Sequence, residues 1–392
     1  MGATCRDDHS AVGDRLPRRR AAMSVSLAMV LAGWVGNAAC SHGGEQERLG
    51  MTEAGKLRLG CAIFALQFSP DGKVLAAAGD KRIGLWLLAQ EKRFSELAAD
   101  DRFTSLAFSP DGAHLAAGQH CSPATRDGSY TGQLWLWESA TGKVLQQKPL
   151  EEPVLSVAFS PDGKSLACGL FKGGVALWDL REGKPRRQLQ HGPHPSVAFS
   201  RDGSLLASGS NPPEPTFVPA VGPDGAMIAP AGRPVGEDGT IRLWDPATGK
   251  MIREMAHKSS EGVTSLAFSP SANILAAGYE DGAIRLWDTA TGNLLRSLEA
   301  HTRPSWALPI AFSPDGKLLA SGAYQDQDTH LSLWDVATGK RLSSVSAAPL
   351  RITSIAFSSD GGTIAVADCN DSDGVVRLWR LAGGPAGAPG QR

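Results

Sequence analysis

The sequence has few cysteines and almost no net charge. Six cysteines among 392 residues are too few for a fold held together by disulfide bonds. The chain has 39 lysines and arginines and 40 aspartates and glutamates, which gives a formal charge of -1. It therefore lacks the positive field that non-specific nucleic-acid binding requires. We therefore expect neither a disulfide scaffold nor a nucleic-acid partner.

The common catalytic and metal-binding motifs are also missing. The sequence contains no His-Glu-x-x-His, Cys-x-x-Cys or Gly-x-Ser-x-Gly, which are signatures of zinc, redox and hydrolase sites. Asp368–Gly374 is similar to a calcium loop, but Trp379 stands where a bidentate Glu is needed, which favours a polar turn. We expect no catalytic residue, no metal site and no cofactor.

Turn residues are abundant and the chain has enough apolar residues for a core. The hydrophobic content is 42%, which is enough for a core. The 45 glycines and 25 prolines are more than a helical protein tolerates. Only 6% of the residues are aromatic. This composition favours turn-rich β structure.

The first 40 residues have the order of an export signal. Three arginines at positions 18–20 precede the uncharged run 21–39, and small residues lead to Cys40. The end of the run resembles a bacterial lipoprotein signal, which would make Cys40 a lipidation site, although Asn37 departs from that pattern. Cleavage after Ala38 or Ala39 and a retained membrane helix are the alternatives. We expect the folded part to be exported, to the periplasm or as a cell-envelope lipoprotein, with an extracellular location as a further option.

One unit recurs seven times along the rest of the chain. The phrase Phe-Ser-Pro-Asp-Gly and its variants begin at seven phenylalanines, and a tryptophan follows each phrase. The phenylalanines are Phe68, Phe108, Phe159, Phe199, Phe268, Phe312 and Phe357, and the tryptophans are Trp86, Trp137, Trp178, Trp244, Trp287, Trp334 and Trp379. Within a unit, β-branched and apolar runs alternate with turn residues, which predicts a four-stranded meander.

These phrases resemble the WD-repeat (WD40) β-propeller family, over residues 55–380. The resemblance implies an all-β fold, a seven-bladed β-propeller of four-stranded antiparallel blades. It also implies a buried network of His, Ser, Asp and Trp in each complete repeat, with a structural rather than catalytic role. Two units carry the whole set, which comprises His191, Ser208, Asp238 and Trp244 in one unit and His301, Ser321, Asp328 and Trp334 in the other.

The two ends of the repeat region predict how the ring closes. The last unit reaches only its third strand at Trp379, whereas Ala54–Leu59 has the pattern of an outer strand. We therefore expect an N-terminal strand to complete the C-terminal blade, which removes an open sheet edge. Residues 41–54 are then a linker and 381–392 a disordered Gly/Pro/Ala tail. Cys61 and Cys369 fall near one end of the ring, either unpaired or bridged.

Four units are longer than the others, and the extra residues fall between the second and third strands. The distance from Phe to Trp is 18 or 19 residues in compact units, but 29 in the second, 45 in the fourth and 22 in the last two. All insertions then project from one face. Asn211–Gly236, with seven prolines and four glycines, predicts an extended lid or a hairpin around residues 222–225. Tyr130, Phe217, Tyr324 and Asp326 are the predicted contact residues.

The sequence favours a non-catalytic protein-interaction scaffold in the bacterial cell envelope. Its partner proteins are unidentified, it contacts the membrane only through the N-terminal signal or lipid anchor, and we expect a monomer. A ligand or cation sensor is the alternative, with Asp326, Asp328, Asp371 and Asp373 as oxygen ligands at the central channel. A propeller enzyme is a third option, because inward loop residues can form a site that linear motifs do not reveal.

Overall fold

The structure is a computed structural model that describes most of the repeat region. The described residues are 49–120, 130–193, 195–211, 220–221, 227–228, 239–257, 262–301, 308–323, 330–346, 351–368 and 374–382. The predicted export signal with Cys40 lies outside these residues, as do the contact residues Phe217, Tyr324 and Asp326.

The repeat units form seven four-stranded antiparallel sheets, which confirms the predicted seven-bladed propeller. The N-terminal strand is β1 (Met51–Arg58). Blade 1 contains β2 (Ile63–Phe68), β3 (Val74–Gly79), β4 (Arg82–Leu87) and β5 (Lys92–Ala98), with a short 3-10 helix at Leu88–Gln90. Blade 2 contains β6 (Arg102–Phe108), β7 (His114–His120), β8 (Gly132–Glu138) and β9 (Val144–Leu150), and blade 3 contains β10 (Val154–Phe159), β11 (Ser165–Leu170), β12 (Val175–Asp179) and β13 (Lys184–Leu189).

The remaining blades follow the same order. Blade 4 contains β14 (Ser196–Phe199), β15 (Leu206–Gly209), β18 (Ile241–Trp244) and β19 (Met251–Met255), and its long connection holds the hairpin β16 (Ala220–Val221) and β17 (Met227–Ile228). Blade 5 contains β20 (Val263–Phe268), β21 (Ile274–Tyr279), β22 (Ala283–Asp288) and β23 (Leu294–Glu299). Blade 6 contains β24 (Ile310–Phe312), β25 (Leu318–Ser321), β26 (His330–Asp335) and β27 (Arg341–Ser346). Blade 7 contains β28 (Ile352–Phe357), β29 (Thr363–Asp368), β30 (Val375–Leu381) and β1.

The first strands of the blades form a closed inner ring. β2, β6, β10, β14, β20, β24 and β28 contact one another in this order, and β28 contacts β2 again. Serine and threonine side chains join neighbouring strands of the ring. Between blades 7 and 1, the Leu66 backbone N–H donates to Ser354 Oγ over 3.0 Å and Thr353 Oγ1 donates to the Ile63 carbonyl over 2.7 Å.

The Ser-Pro-Asp-Gly phrase makes the same turn in four blades, and its variants with Arg201 or Ser359 in place of proline make it in two more. In blade 1, Ser69 Oγ donates to Asp71 Oδ1 over 2.6 Å, and the Lys73 backbone N–H donates to the same carboxylate oxygen over 3.1 Å. These two bonds hold the pKa of the Asp71 carboxyl below its ordinary value. Gly72 has φ +71, a conformation that glycine adopts without strain. The side chains of the turn itself therefore hold its conformation.

The Ala-Thr-Gly turns between third and fourth strands are fastened to the preceding blade. Arg187 of blade 3 donates to the Ala247 carbonyl over 2.6 Å, and Arg253 of blade 4 donates to the Thr291 carbonyl over 2.8 Å. The arginine stem lies against the glycine of the turn, and a Cβ at Gly292 would stand 2.5 Å from Arg253 Cδ. Glycine is thus needed for the close approach as well as for its positive φ.

The core lies between adjacent blades rather than in one central mass. Small residues fill the second strands, where Ala76, Ala77 and Ala78 are fully buried. Each repeat tryptophan belongs to a buried cluster that joins two adjacent blades, and Trp137 is only 1% exposed. This layering is what a tapering blade requires.

β1 lies at the outer edge of blade 7. It pairs antiparallel with β30, from Met51 opposite Leu381 to Arg58 opposite Val375. The strand begins at Met51, so residues 51–54 belong to the sheet and not to the linker that the sequence predicted at 41–54. Pairing with β30 extends a segment whose Glu53 and Ala54 carry little strand signal of their own.

Candidate interaction surface

The meander gives the disc two different faces. Connections from first to second and from third to fourth strands lie on one side, here called the turn face. Connections from second to third strands, and from each blade to the next, lie on the other side, here called the loop face. The long connections of blades 2, 4, 6 and 7 all join second to third strands and therefore share the loop face.

Three aromatic side chains form a cluster on the loop face between blades 2 and 3. His120 ends β7, Tyr130 precedes β8, and Phe171 follows β11. The ring centroids are 4.9 Å apart for His120 and Tyr130, 6.1 Å for Tyr130 and Phe171, and 6.2 Å for His120 and Phe171. Tyr130 is 41% exposed although it is a large ring. We call His120, Tyr130 and Phe171 the aromatic cluster.

Backbone contacts hold the cluster in place. The Phe171 N–H donates to the Pro153 carbonyl over 3.0 Å, and the next N–H, of Lys172, donates to Glu152 Oε2 over 2.6 Å. Burial lowers the pKa of His120, and the nearby Arg102 charge adds to this effect. The imidazole is therefore neutral at pH 7, and the cluster presents an uncharged aromatic surface.

The residues of the predicted buried network meet in blade 4. His191 Nδ1 lies 2.6 Å from Ser208 Oγ, and Trp244 Nε1 donates to the same oxygen over 2.8 Å. His191 Nε2 lies 3.2 Å from Thr240 Oγ1. Since the Ser208 oxygen accepts from the indole, its own proton is available for Nδ1, and the imidazole then carries its proton on Nε2. Asp238 lies outside the described residues.

This network cannot act as a nucleophilic triad. Ser208 is completely buried in β15, so a substrate cannot reach its hydroxyl. Burial lowers the pKa of His191 to about 3, with Arg242 as a smaller cause, so the ring stays neutral over most of the pH range. In blade 6, Trp334 Nε1 donates to Ser321 Oγ over 3.0 Å, and His301 is buried, while Asp328 lies outside the described residues.

Comparisons with known proteins identify the repeat. The WD domain, G-beta repeat family matches residues 57–86, 143–179, 217–245 and 339–380, and the Vps8 beta-propeller family matches residues 257–321. Where the structure describes these segments, they consist of the strands and turns given above. This chain is a WD-repeat β-propeller.

Its relatives among curated WD-repeat and related proteins are distant. The human angio-associated migratory cell protein is 24% identical over 256 residues, which cover 56% of each chain. Protein groucho of Drosophila melanogaster is 23% identical over 71% of this chain and 34% of its own length. An uncharacterized WD repeat-containing protein of Synechocystis is 34% identical over 38% of this chain and 41% of its own. The WD-repeat chain thus spans about half or less of these relatives, and such propellers generally act as protein-interaction scaffolds.

Two WD-repeat blades use side chains that the repeat pattern does not specify. In blade 2, Gln119 Oε1 accepts from Trp135 Nε1 over 2.9 Å, and Trp135 stacks on Trp137 with centroids 5.3 Å apart. In blade 5, Arg285 pairs with Asp281 over 2.5 Å and lies over the Tyr279 ring at 4.3 Å. In the sequence, the arrangement in blade 2 is indicated only by the doubled Leu-Trp of residues 134–137.

The central channel of the WD-repeat ring is lined by neutral side chains where the structure describes it. Its cavity of about 440 Å³ is bounded by the inner strands of all seven blades. Ser105, Ser156, Ser196, Ser265 and Ser354 occupy one equivalent position around it. The cation ligands proposed from the sequence, at positions 326, 328, 371 and 373, all lie outside the described residues.

Other predicted features can be placed only in part. Among the residues that the structure describes, no group of three or more metal-ligating side chains comes together. Cys61 and Cys168 are free thiols, and Cys369 lies outside the described part. The described segments also contain no helix with the length and apolar character to cross a membrane.

Proposed function

We propose that this WD-repeat propeller is a non-catalytic scaffold that binds a partner protein through its loop face. The aromatic cluster carries this proposal. Exposed rings that are held by a rigid scaffold are typical of the residues that dominate binding energy in protein interfaces. Tyr130 is 41% exposed, yet it is fixed between His120 and Phe171 and loses little conformational entropy on binding.

A matched pair of variants tests this proposal. Tyr130→Ala removes an exposed ring from the loop face, and Phe94→Ala removes a ring of similar exposure, 38%, from the outer strand β5. Partners crosslinked to the wild-type chain in cells should be lost from Tyr130→Ala and kept by Phe94→Ala. Equal capture by both variants would contradict loop-face binding.

The long connection of blade 4 is the second part of the proposed surface. The Ser210 N–H donates to the Thr240 carbonyl over 3.0 Å, so the two strands already meet at the base of this connection. A short turn in place of residues 212–236 keeps Asp238, should leave the blade folded, and removes Phe217. Reduced partner capture at an unchanged melting temperature would support a binding role, and unchanged capture would exclude this segment from the surface.

We also propose that the chain is exported to the cell envelope and anchored at Cys40. The order of basic, apolar and small residues in the first 40 positions supports this proposal. Labelled fatty acid should be incorporated into the wild-type chain and not into Cys40→Ser. Labelling that persists in Cys40→Ser would place the lipid elsewhere, and an unlabelled, membrane-free wild-type chain would favour simple cleavage.

A further inference from the structure

The aromatic cluster lies between two acidic connections. Asp100 and Asp101 precede β6, and Glu151 and Glu152 precede β10. We call these four side chains the carboxylate rim. Among the other five connections from one blade to the next, the sequence contains a single acidic residue, Glu261. Of the seven connections between blades, only the two that flank blade 2 carry more than one acidic residue.

Hydrogen bonds place both halves of the carboxylate rim beside the cluster. The Asp101 carbonyl accepts from Gln119 Nε2 over 2.9 Å, and Gln119 directly precedes His120. The carboxylate of Asp101 lies close enough to raise the pKa of His120, against the larger lowering by burial. On the other side, Glu152 Oε2 accepts the N–H that follows Phe171. The rings therefore lie between the two acidic segments.

The cations that the structure describes near this site do not cancel its charge. Arg102 pairs with Asp80 over 2.9 Å and lies over the Phe64 ring at 4.5 Å, so its charge is matched within blade 1 and its guanidinium is already stacked. Lys172 is exposed and is the other described cation beside the cluster. Among the described side chains, Asp100, Glu151 and Glu152 against Lys172 leave an excess of negative charge around an uncharged aromatic surface.

We propose that the aromatic cluster and the carboxylate rim bind a basic peptide segment of the partner protein, with arginine as the preferred residue. This inference rests on the proposed scaffold function and names the chemistry of the partner. A guanidinium stacks on the faces of Tyr and Phe rings and pairs with carboxylates through its edge. The rim would also accelerate the encounter with a positively charged segment.

Binding of a model peptide to the full chain gives a direct test. The probe is a fluorescein-labelled peptide of alternating arginine and glycine, and a citrulline version keeps the shape without the charge. Fluorescence anisotropy should show saturable binding of the arginine peptide at physiological salt and at least tenfold weaker binding of the citrulline peptide. Equal affinity for the two peptides would overturn the role of charge.

Variants separate the site from general electrostatic attraction. Glu151→Gln/Glu152→Gln should weaken binding severalfold and reduce its salt dependence, whereas Glu91→Gln/Glu182→Gln removes the same charge from the turn face and should leave the affinity unchanged. Tyr130→Ala should weaken binding about tenfold and Tyr130→Phe should retain most of it. Equal loss in the two charge variants, or none for Tyr130→Ala, would overturn the site. Thermal melts verify that each variant is folded.

Failure of the basic-peptide proposal can be distinguished from failure of the scaffold proposal. If the arginine peptide does not bind but Tyr130→Ala still loses its crosslinked partners, then the loop face is an interface and its partner is not basic. If the peptide binds through Tyr130 and cellular capture is unaffected, the site is real and the scaffold proposal is wrong for this face.

Discussion

Blades 2 and 4 are built from the same repeat, yet they hold their tryptophans in different ways. In blade 4, Ser208 lies on the second strand opposite Arg242, and its hydroxyl joins Trp244 to His191. In blade 2 the equivalent pair is Ala117 opposite Trp135. The repeat thus specifies the strands and turns, and the residues between them decide whether the tryptophan is held by hydrogen bonds or by ring stacking.

Blades 2 and 4 also differ in the length of their strands. All four strands of blade 2 have seven residues, whereas those of blade 4 have four or five. In blade 2, Trp137 lies against Trp135 at 5.3 Å and against Phe103 at 5.8 Å. The short blade 4 has no such stack among its described residues, and a polar network fixes its tryptophan instead. Five perturbations test this difference, from the largest expected effect to the smallest.

Removal of β1 should have the largest effect, because both blades depend on a closed ring. Deletion of residues 51–59 removes Leu57 and Leu59, which are 4% and 2% exposed, and leaves β30 without its outer neighbour. Truncation of each buried leucine alone costs about 2–5 kcal/mol. We expect the free energy of unfolding, measured in urea, to fall by more than about 5 kcal/mol. Lys56→Ala, an exposed change in the same strand, is the control, and a truncated chain as stable as the full one would contradict closure by β1.

Trp137→Ala should be the most damaging single substitution in blade 2. The side chain is 1% exposed, and its loss leaves a cavity against Phe103 and Trp135. Urea unfolding should show a loss of about 3–5 kcal/mol, as for other buried Trp to Ala changes. Trp137→Phe keeps an aromatic ring and should lose less. If both variants lose the same amount of unfolding free energy, then a phenyl ring at position 137 does not stabilise the stack.

Acid should destabilise the chain through blade 4. His191 has a folded pKa of about 3, below its ordinary value of 6.5, so the unfolded chain binds the proton first. Its contribution is present above pH 6.5 and is lost as the pH falls toward 3. Between pH 7 and 4.5 this amounts to about 2–3 kcal/mol. His191→Asn should flatten the pH dependence of the unfolding free energy in that window, and an unchanged slope would exclude His191 as its cause.

Ser208→Ala should cost about 1–3 kcal/mol, because it leaves the Trp244 N–H and the His191 nitrogen without their shared partner. The converse change in blade 2, Ala117→Ser, adds a hydroxyl opposite Trp135 and should not stabilise the chain. Urea unfolding of both variants gives the comparison. A stabilising Ala117→Ser would mean that the hydrogen-bonded arrangement is accessible to blade 2 as well.

The sequence predicted those parts of the fold that are encoded locally. The Phe-Ser-Pro-Asp-Gly phrase contains its own hydrogen bonds, such as Ser69 to Asp71, so each turn could be located without knowledge of the packing. The start of β1 at Met51 was missed because that strand depends on β30, more than 300 residues away. Tyr130 was predicted as a surface aromatic, but Phe171 comes from another blade and carries no linear signal.

The smallest effect is expected at Gln119, which takes the place in blade 2 that Ser210 has in blade 4. Gln119 is 1% exposed, accepts from Trp135 Nε1 and donates to the Asp101 carbonyl, so it links the ring stack to the carboxylate rim. Gln119→Leu keeps the volume and leaves both groups unpaired, at a cost of about 1–2 kcal/mol. Trp135→Phe removes the indole N–H, so the double variant should lose less than the sum of the two single ones. A coupling of about 0.5–1.5 kcal/mol in this double-mutant cycle would show that blade 2 also relies on a hydrogen bond. Strict additivity would mean that stacking alone holds its tryptophans.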